Sequence, residues 1–135
     1  MSKRFGVTID CADPPRLAAF WRVLLEYVDE PAPPGYQTWS DYDTAKGLST
    51  EQAAAGATIV DPAGVGPRLY FQRVPEPKSV KNRLHLDVPT GGERQRNELR
   101  RTVEQLGGSF LHASDDPDDP FQVMADPEGN EFCLT

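Results

Sequence analysis

Thiols are scarce in this chain. Its 135 residues include two cysteines, Cys11 and Cys133, and no CxxC pair. That excludes a disulfide-stapled scaffold and a four-thiolate zinc site, and it fits a protein kept reduced in the cytoplasm. Long apolar runs are missing, so no segment reads as a membrane span. The start, MSKRFGVTID, is basic, but Asp10 interrupts it before a secretory apolar core can form. Positive charge is in deficit, with 14 Lys and Arg against 21 Asp and Glu and a net charge of −7. Such a surface disfavours nucleic-acid phosphates and anionic lipid, and it leaves a small molecule as the expected partner. There is no phosphate-cradling GxGxxG, no Walker motif and no nucleophile elbow.

What is present is an ordinary globular composition, 38% apolar, with 13 prolines and 11 glycines spread along the chain rather than massed. The length suits one domain, 1–135, or two small halves sharing a core. FGVTIDC (5–11) alternates and is rich in β-branched residues, which predicts a strand. In ADPPRLAAFWRVLLEY, Asp13 is a good N-cap and the prolines after it fit a first helical turn. Leu17, Phe20, Trp21 and Leu24 then recur along one helical face, and DEPAPPG (29–35) ends the helix. YQTWSDY (36–42) reads as a strand, and TAKGLSTEQAAAG as a loop with a short helix. GATIVDPAG (56–64) is a strand and a turn. RLYFQRV (68–74) is a strand closed by PEPK.

The same order then repeats. NRLHLDV (82–88) predicts a strand, and residues 92–106 a helix with Leu99, Val103 and Leu106 on one face and Gly107-Gly108 as its stop. SFLHA, FQVMADP and EFCLT follow as short strands, with DPEGN turning between the last two. FGVTIDCAD echoes RLHLDVPT, setting Asp10 against Asp87, and IVDPAG echoes MADPEG. A duplicated βαβββ unit is the strongest organisational signal, with module one at about 1–77 and module two at about 78–135. Neither half is large enough to bury a sheet alone. A ferredoxin-like βαββαβ fold competes, but it leaves strand segments over.

Taken together, ADPPRLAAFWRVLLEY, RLYFQRVPEPKSVKNRLHLDV and VMADPEGNEFCLT resemble the glyoxalase-like branch of the vicinal oxygen chelate superfamily, which includes glyoxalase I, bleomycin-resistance proteins and extradiol dioxygenases. The likeness runs over nearly the whole chain, and KNRLHLDV and DPEGNEFC are its most specific stretches. It implies an α+β fold of two βαβββ modules paired around a cavity, and it implies homodimers. Metal-binding members place ligands at four strand positions. Carried over residue by residue, these fall on Gly6, on Tyr70 or Gln72, on His85 and on Cys133. Only His85 is an expected ligand. Gly6 has no side chain, and Cys133 stands where a Glu usually closes the GNxxE pattern.

A divalent ion needs several donors besides open positions. The expectation is therefore a protein without a cofactor, with a divalent metal at His85 as the alternative. Three roles stay open for His85: a polar group lining the cavity, an acid or base acting without metal, or a metal ligand. Strand parity adds to the lining Thr8, Asp10, Tyr70, Gln72, Asp87 and Cys133, with Trp39 either there or in the core. Asp10 and Asp87 occupy matching positions. If they share one enclosure, one of them becomes a general acid or base. If each is hydrogen-bonded to backbone or to an arginine such as Arg68 or Arg83, both are structural. DDPDDP (115–120) lacks the spacing and glycine of an EF-hand loop and reads as a solvated loop.

The first functional expectation is a small-molecule binder of resistance type, lacking the full metal site. The second is a lyase, isomerase or dioxygenase using a reduced metal site around His85. The catalytic candidates are Asp10, His85 and Asp87. The ligand-binding candidates are Thr8, Trp39, Tyr70, Gln72 and Cys133.

Overall fold

The computed structural model describes residues 1–135, which form two compact units, Met1–Pro75 and Glu76–Thr135. The first contains β1 (Gly6–Cys11), α1 (Pro14–Leu25), β2 (Val28–Asp29), α2 (Trp39–Ala45), α3 (Thr50–Ala53), β3 (Gly56–Val60) and β4 (Arg68–Arg73). The second contains β5 (Asp87–Val88), α4 (Glu93–Gln105), β6 (Ser109–Ala113), β7 (Gln122–Ala125) and β8 (Glu131–Leu134). The two sheets have the same plan, β1-β4-β3-β2 and β5-β8-β7-β6, each with its first strand parallel to its last. Two separate four-stranded sheets rule out the ferredoxin-like alternative, whose strands share one sheet.

Helix α1 forms where its caps and stripe predict. The Asp13 carboxylate accepts from the Arg16 N–H at 3.2 Å, and prolines fill the first two helical positions. Leu17, Phe20, Trp21 and Leu24 are all buried. The helix packs against β3 and β4, whose Ile59, Leu69 and Phe71 are also buried. Each large side chain so enclosed contributes about 1.5–3 kcal/mol relative to exposure.

In the second unit, α4 lies against β6, β7 and β8. Val103 is fully buried there, while Leu99 and Leu106 are half-buried. The stripe also contains Arg96, 7% exposed, which the hydrophobic pattern does not anticipate. An arginine can lie on such a face because its alkyl stem packs as an apolar group. None of its nitrogens is both enclosed and without a hydrogen bond.

Two predicted strands are corrected. YQTWSDY is not a strand: Thr38 caps α2, which begins at Trp39. The Thr38 hydroxyl accepts from the Asp41 N–H at 3.1 Å, and the Asp41 carboxylate accepts from the Thr38 N–H at 3.0 Å. This reciprocal capping overrides the β-propensity of Tyr, Thr and Trp. Ser49 and Gln52 form the same box at the start of α3. NRLHLDV contributes only Asp87–Val88 to the sheet. Its partner β8 begins at Glu131, which the register sets opposite His85, so residues before His85 have no strand opposite them. The Glu131 carboxylate, not a ladder carbonyl, takes the Asn82 N–H at 2.9 Å.

The echoed DP turns are one device used twice. In the first, the Asp61 carboxylate accepts the N–H groups of Ala63, Val65 and Gly66 at 2.8, 3.0 and 2.7 Å. In the second, Asp126 Oδ1 accepts those of Glu128 and Asn130 at 2.9 and 3.0 Å, and both carboxylate oxygens accept from the Asn130 amide. Each turn needs a left-handed residue, supplied by Gly64 at φ +69° and Gly129 at φ +85°. Asp126 is 3% exposed, so removing its carboxylate would strand enclosed donors. Asp126→Ala is expected to cost about 2–4 kcal/mol in urea unfolding, more than Asp61→Ala in the more open turn.

Candidate functional site

The parallel pairing of β1 with β4 sorts the first sheet into two faces. Ile9, Phe71 and Ala57 share one row, and Leu69 pairs with Ile59; these belong with the buried residues beside α1. The other parity carries Thr8 opposite Tyr70 and Thr58, Asp10 opposite Gln72 and Gly56, and Gly6 opposite Arg68. Four of the predicted site residues, Thr8, Asp10, Tyr70 and Gln72, therefore stand on one face in adjacent rows.

A cavity of about 500 Å³ opens over this face, between the sheet and the α2–α3 segment. Tyr70, Thr58, Gly56 and Arg68 form its sheet side, and Trp39, Tyr42, Asp43, Leu48 and Gln52 its helical side, with Asp29 at β2. Trp39 is placed by its indole N–H, which donates to the Glu30 carbonyl at 2.7 Å. It is 40% exposed, so it is a wall and not core. Tyr42 meets Trp39 edge to face, with ring centroids 5.5 Å apart, and meets Tyr36 likewise at 5.2 Å. The Tyr70 ring lies over Gly56, where an added Cβ would come within 2.7 Å of its hydroxyl. The absent side chain is what lets the ring lie flat there.

The charges around the cavity are largely spoken for. Arg68 donates through Nε and one terminal nitrogen to the two oxygens of Glu30, both at 2.8 Å, and its guanidinium lies 5.8 Å from the Tyr70 centroid. Hydrogen bonding to Glu30 holds the Arg68 pKa above its ordinary value. Asp29 is bridged by Arg22 at 2.7 Å. Asp43 is half-buried, and its carboxylate has no hydrogen bond or ion pair.

Each of the two catalytic aspartate candidates faces the neighbouring strand of its own module, and neither is paired with an arginine. The Gln72 amide donates to Asp10 at 2.7 Å. Asp87 stands opposite Cys133 in the β5–β8 register, close enough for its charge to act on the thiol. Burial and then the Asp87 charge raise the Cys133 pKa, with Lys81 opposing them. The row continues through Val123 to His112, so the second histidine shares a face with Cys133. His85 lies outside the strand and is exposed. Its Nε2 stands 2.7 Å from Lys81 Nζ and 3.1 Å from the Asn82 carbonyl, and one nitrogen cannot accept from the first while donating to the second. Glu131 is held below the ordinary glutamate range by the Asn82 N–H first, and also by Lys78 at 3.2 Å.

These donors do not fit the metal set that the family resemblance implies. Gly6 offers nothing, Gln72 could give only a neutral amide oxygen, an ammonium faces the His85 nitrogen, and the Cys133 thiol is biased toward its protonated form. No group of three or more His, Cys, Asp or Glu is arranged to hold an ion. A second cleft of about 420 Å³ lies between Lys3, Arg4 and Phe5 and the Asp61 turn. Its one carboxylate is already locked by backbone N–H groups.

Residues 6–135 match the family model for a glyoxalase-like domain. The chain belongs to that family. No curated protein matches it in sequence. Among solved structures, a possible glyoxalase from Bacillus cereus superposes with a TM-score of 0.67 at 12% identity, covering 100% of this chain and 99% of that one. A variant of the fosfomycin resistance protein FosX from Listeria monocytogenes, complexed with Mn(II) and 1S,2S-dihydroxypropylphosphonic acid, gives 0.69 at 11% identity, covering 99% and 91%. A glyoxalase/bleomycin resistance protein/dioxygenase family enzyme from Burkholderia phytofirmans gives 0.64 at 13%, covering 95% and 93%. At these identities the likeness is one of fold.

Sequence reasoning missed Tyr42, Asp43, Thr58 and Arg68 as pocket residues. The two capping boxes, TWSD and STEQ, were the available signal for the helical side. One consequence concerns Cys133. In a Cys11→Ser background its alkylation by iodoacetamide at neutral pH should be slow, and Asp87→Asn should speed it severalfold by lowering the thiol pKa. Rates followed against pH check this, and an unchanged profile in Asp87→Asn would contradict the effect assigned to the Asp87 charge.

Proposed function

We propose that this glyoxalase-like protein binds a small molecule in the cavity over its first sheet and does so without the metal site of its catalytic relatives. The observation that carries this reading is the Trp39–Tyr42–Tyr70 wall, built around an opening of about 500 Å³. That volume lies within the range of small-molecule sites, and rigid aromatic rings supply contact area at little entropic cost. Thr8, Asp10 and Gln72 stand on the same sheet face and offer hydroxyl, carboxylate and amide groups to a ligand reaching across it. In the second module, Cys133 and Asp87 share the face opposite the buried Phe132 and Leu134.

The donor chemistry described above supports this reading over the alternative of a lyase, isomerase or dioxygenase with a reduced metal site at His85. As an acid–base group, His85 would have to act from an exposed position beside an ammonium. Asp10 and Asp87 are the better candidates for proton transfer, although Asp10 already accepts from Gln72. A homodimer and a cytoplasmic setting belong to the same proposal.

The test is a thermal-shift screen of small aromatic and heteroaromatic molecules, run before and after dialysis against a chelator. Stabilising compounds should keep their effect after chelation and lose most of it in Trp39→Ala and Tyr70→Ala. Near-stoichiometric metal in the purified protein, lost in His85→Ala, would overturn the reading. So would ligand shifts that need an added divalent ion.

A further inference from the structure

We infer that the cavity over the first sheet selects organic cations, namely flat molecules carrying a protonated amine, amidine or guanidine, and discriminates against anions. This rests on the proposed binding site and adds the charge class of its ligand.

Most of the charged groups at the cavity are paired within the protein. Arg68 is neutralised by two hydrogen bonds to Glu30, and Asp29 by Arg22. Asp43 alone has no partner, and it is half-buried on α2 one residue from Tyr42. A ligand in the cavity therefore meets one carboxylate that no hydrogen bond or ion pair holds, the nearest cation on its helix, Lys46, being turned to the Tyr42 ring. The rings add to the preference, because their faces carry negative potential and attract cations. Lys46 lies 5.5 Å from the Tyr42 centroid and Arg68 5.8 Å from that of Tyr70, so the Trp39 ring is the wall face without a cation of the protein's own against it. The chain as a whole carries −7, which enriches cations around it. An anion gains nothing from these groups, since the one arginine at the site has both a carboxylate and the Thr58 hydroxyl as partners. This sets the cavity apart from the phosphonate-bound FosX complex of the same fold.

A shape-matched series tests it. 4-Phenylbenzamidine, 4-phenylbenzamide and 4-phenylbenzoate share a scaffold and differ in charge at pH 7. Each is titrated into the full chain and followed by ligand-observed NMR. The amidine should bind roughly tenfold more tightly than the amide, as one unscreened charge at a partly exposed site would give, and the benzoate should bind most weakly. Added salt should narrow the gap. Asp43→Asn should bring the amidine down to the amide. Asp43 is on the surface of a short helix, so this isosteric variant keeps the fold, which its circular dichroism and melting temperature verify.

A benzoate that binds as tightly as the amidine, or an amidine preference intact in Asp43→Asn, overturns the charge inference and leaves the binding site standing. If none of the three binds, or if all bind equally well in Trp39→Ala, the site itself is wrong and the inference falls with it.

Discussion

The parallel contact between the first and last strand of each module is the constraint on which the rest depends. In module one it fixes Thr8 against Tyr70 and Asp10 against Gln72, and in module two Asp87 against Cys133. Side chains alternate along a strand, so a slip of one residue would turn Tyr70 and Gln72 into the core and Leu69 and Phe71 outward. The register is held by burial: Leu69 and Phe71 are at most 1% exposed, as are Ile59 and Leu17. The polar face is a consequence of that apolar one. The hydrogen bond between Gln72 and Asp10 then forms across the same pair at no further cost in chain order.

Duplication explains much of the remaining architecture. Both modules use an aspartate-locked DP turn, and both seat an aspartate beside a polar side chain on the neighbouring strand. The modules differ in what they add. Module one inserts α2 and α3, neither of which buries a residue, and these make the second wall of a cavity. Module two has no insertion of this kind, and its polar groups meet one another: Lys78 pairs with Glu131, Lys81 faces His85, and the Asp87 charge acts on the Cys133 thiol. Open volume lined by rings lies over the first sheet, and polar groups that meet one another gather in the second module.

Much of this was legible in the residues. The stripe Leu17, Phe20, Trp21 and Leu24 with Asp13 before it could only be an amphipathic helix, and α1 spans it. The repeated order of elements and the paired DP turns predicted two equivalent modules. Parity alone put Thr8, Asp10, Tyr70 and Gln72 on a common face, since that argument needs only a strand and a buried side. What failed did so for local or tertiary reasons. Residues 36–42 are aromatic and β-branched, yet two reciprocal capping hydrogen bonds decide for a helix. NRLHLDV alternates well, but a strand needs a partner, and β8 is four residues long. His85 was thereby expected to point from a strand and instead sits on an exposed approach to it. Asp43 had no pattern to mark it, because a short helix with no buried face leaves no periodic signal.

The central claim is that a ligand enters the space between Trp39 and the first sheet. The chain has two indoles, which makes a direct test available: Trp39 lines the cavity, and Trp21, 2% exposed, is enclosed in the core. Their indole N–H resonances are followed in a 15N-labelled protein as any stabilising compound is titrated in. The account predicts a saturable shift of the Trp39 resonance, whose hydrogen bond to the Glu30 carbonyl lies at the cavity wall, while Trp21 stays still. A compound that binds and saturates while Trp39 does not move would contradict it.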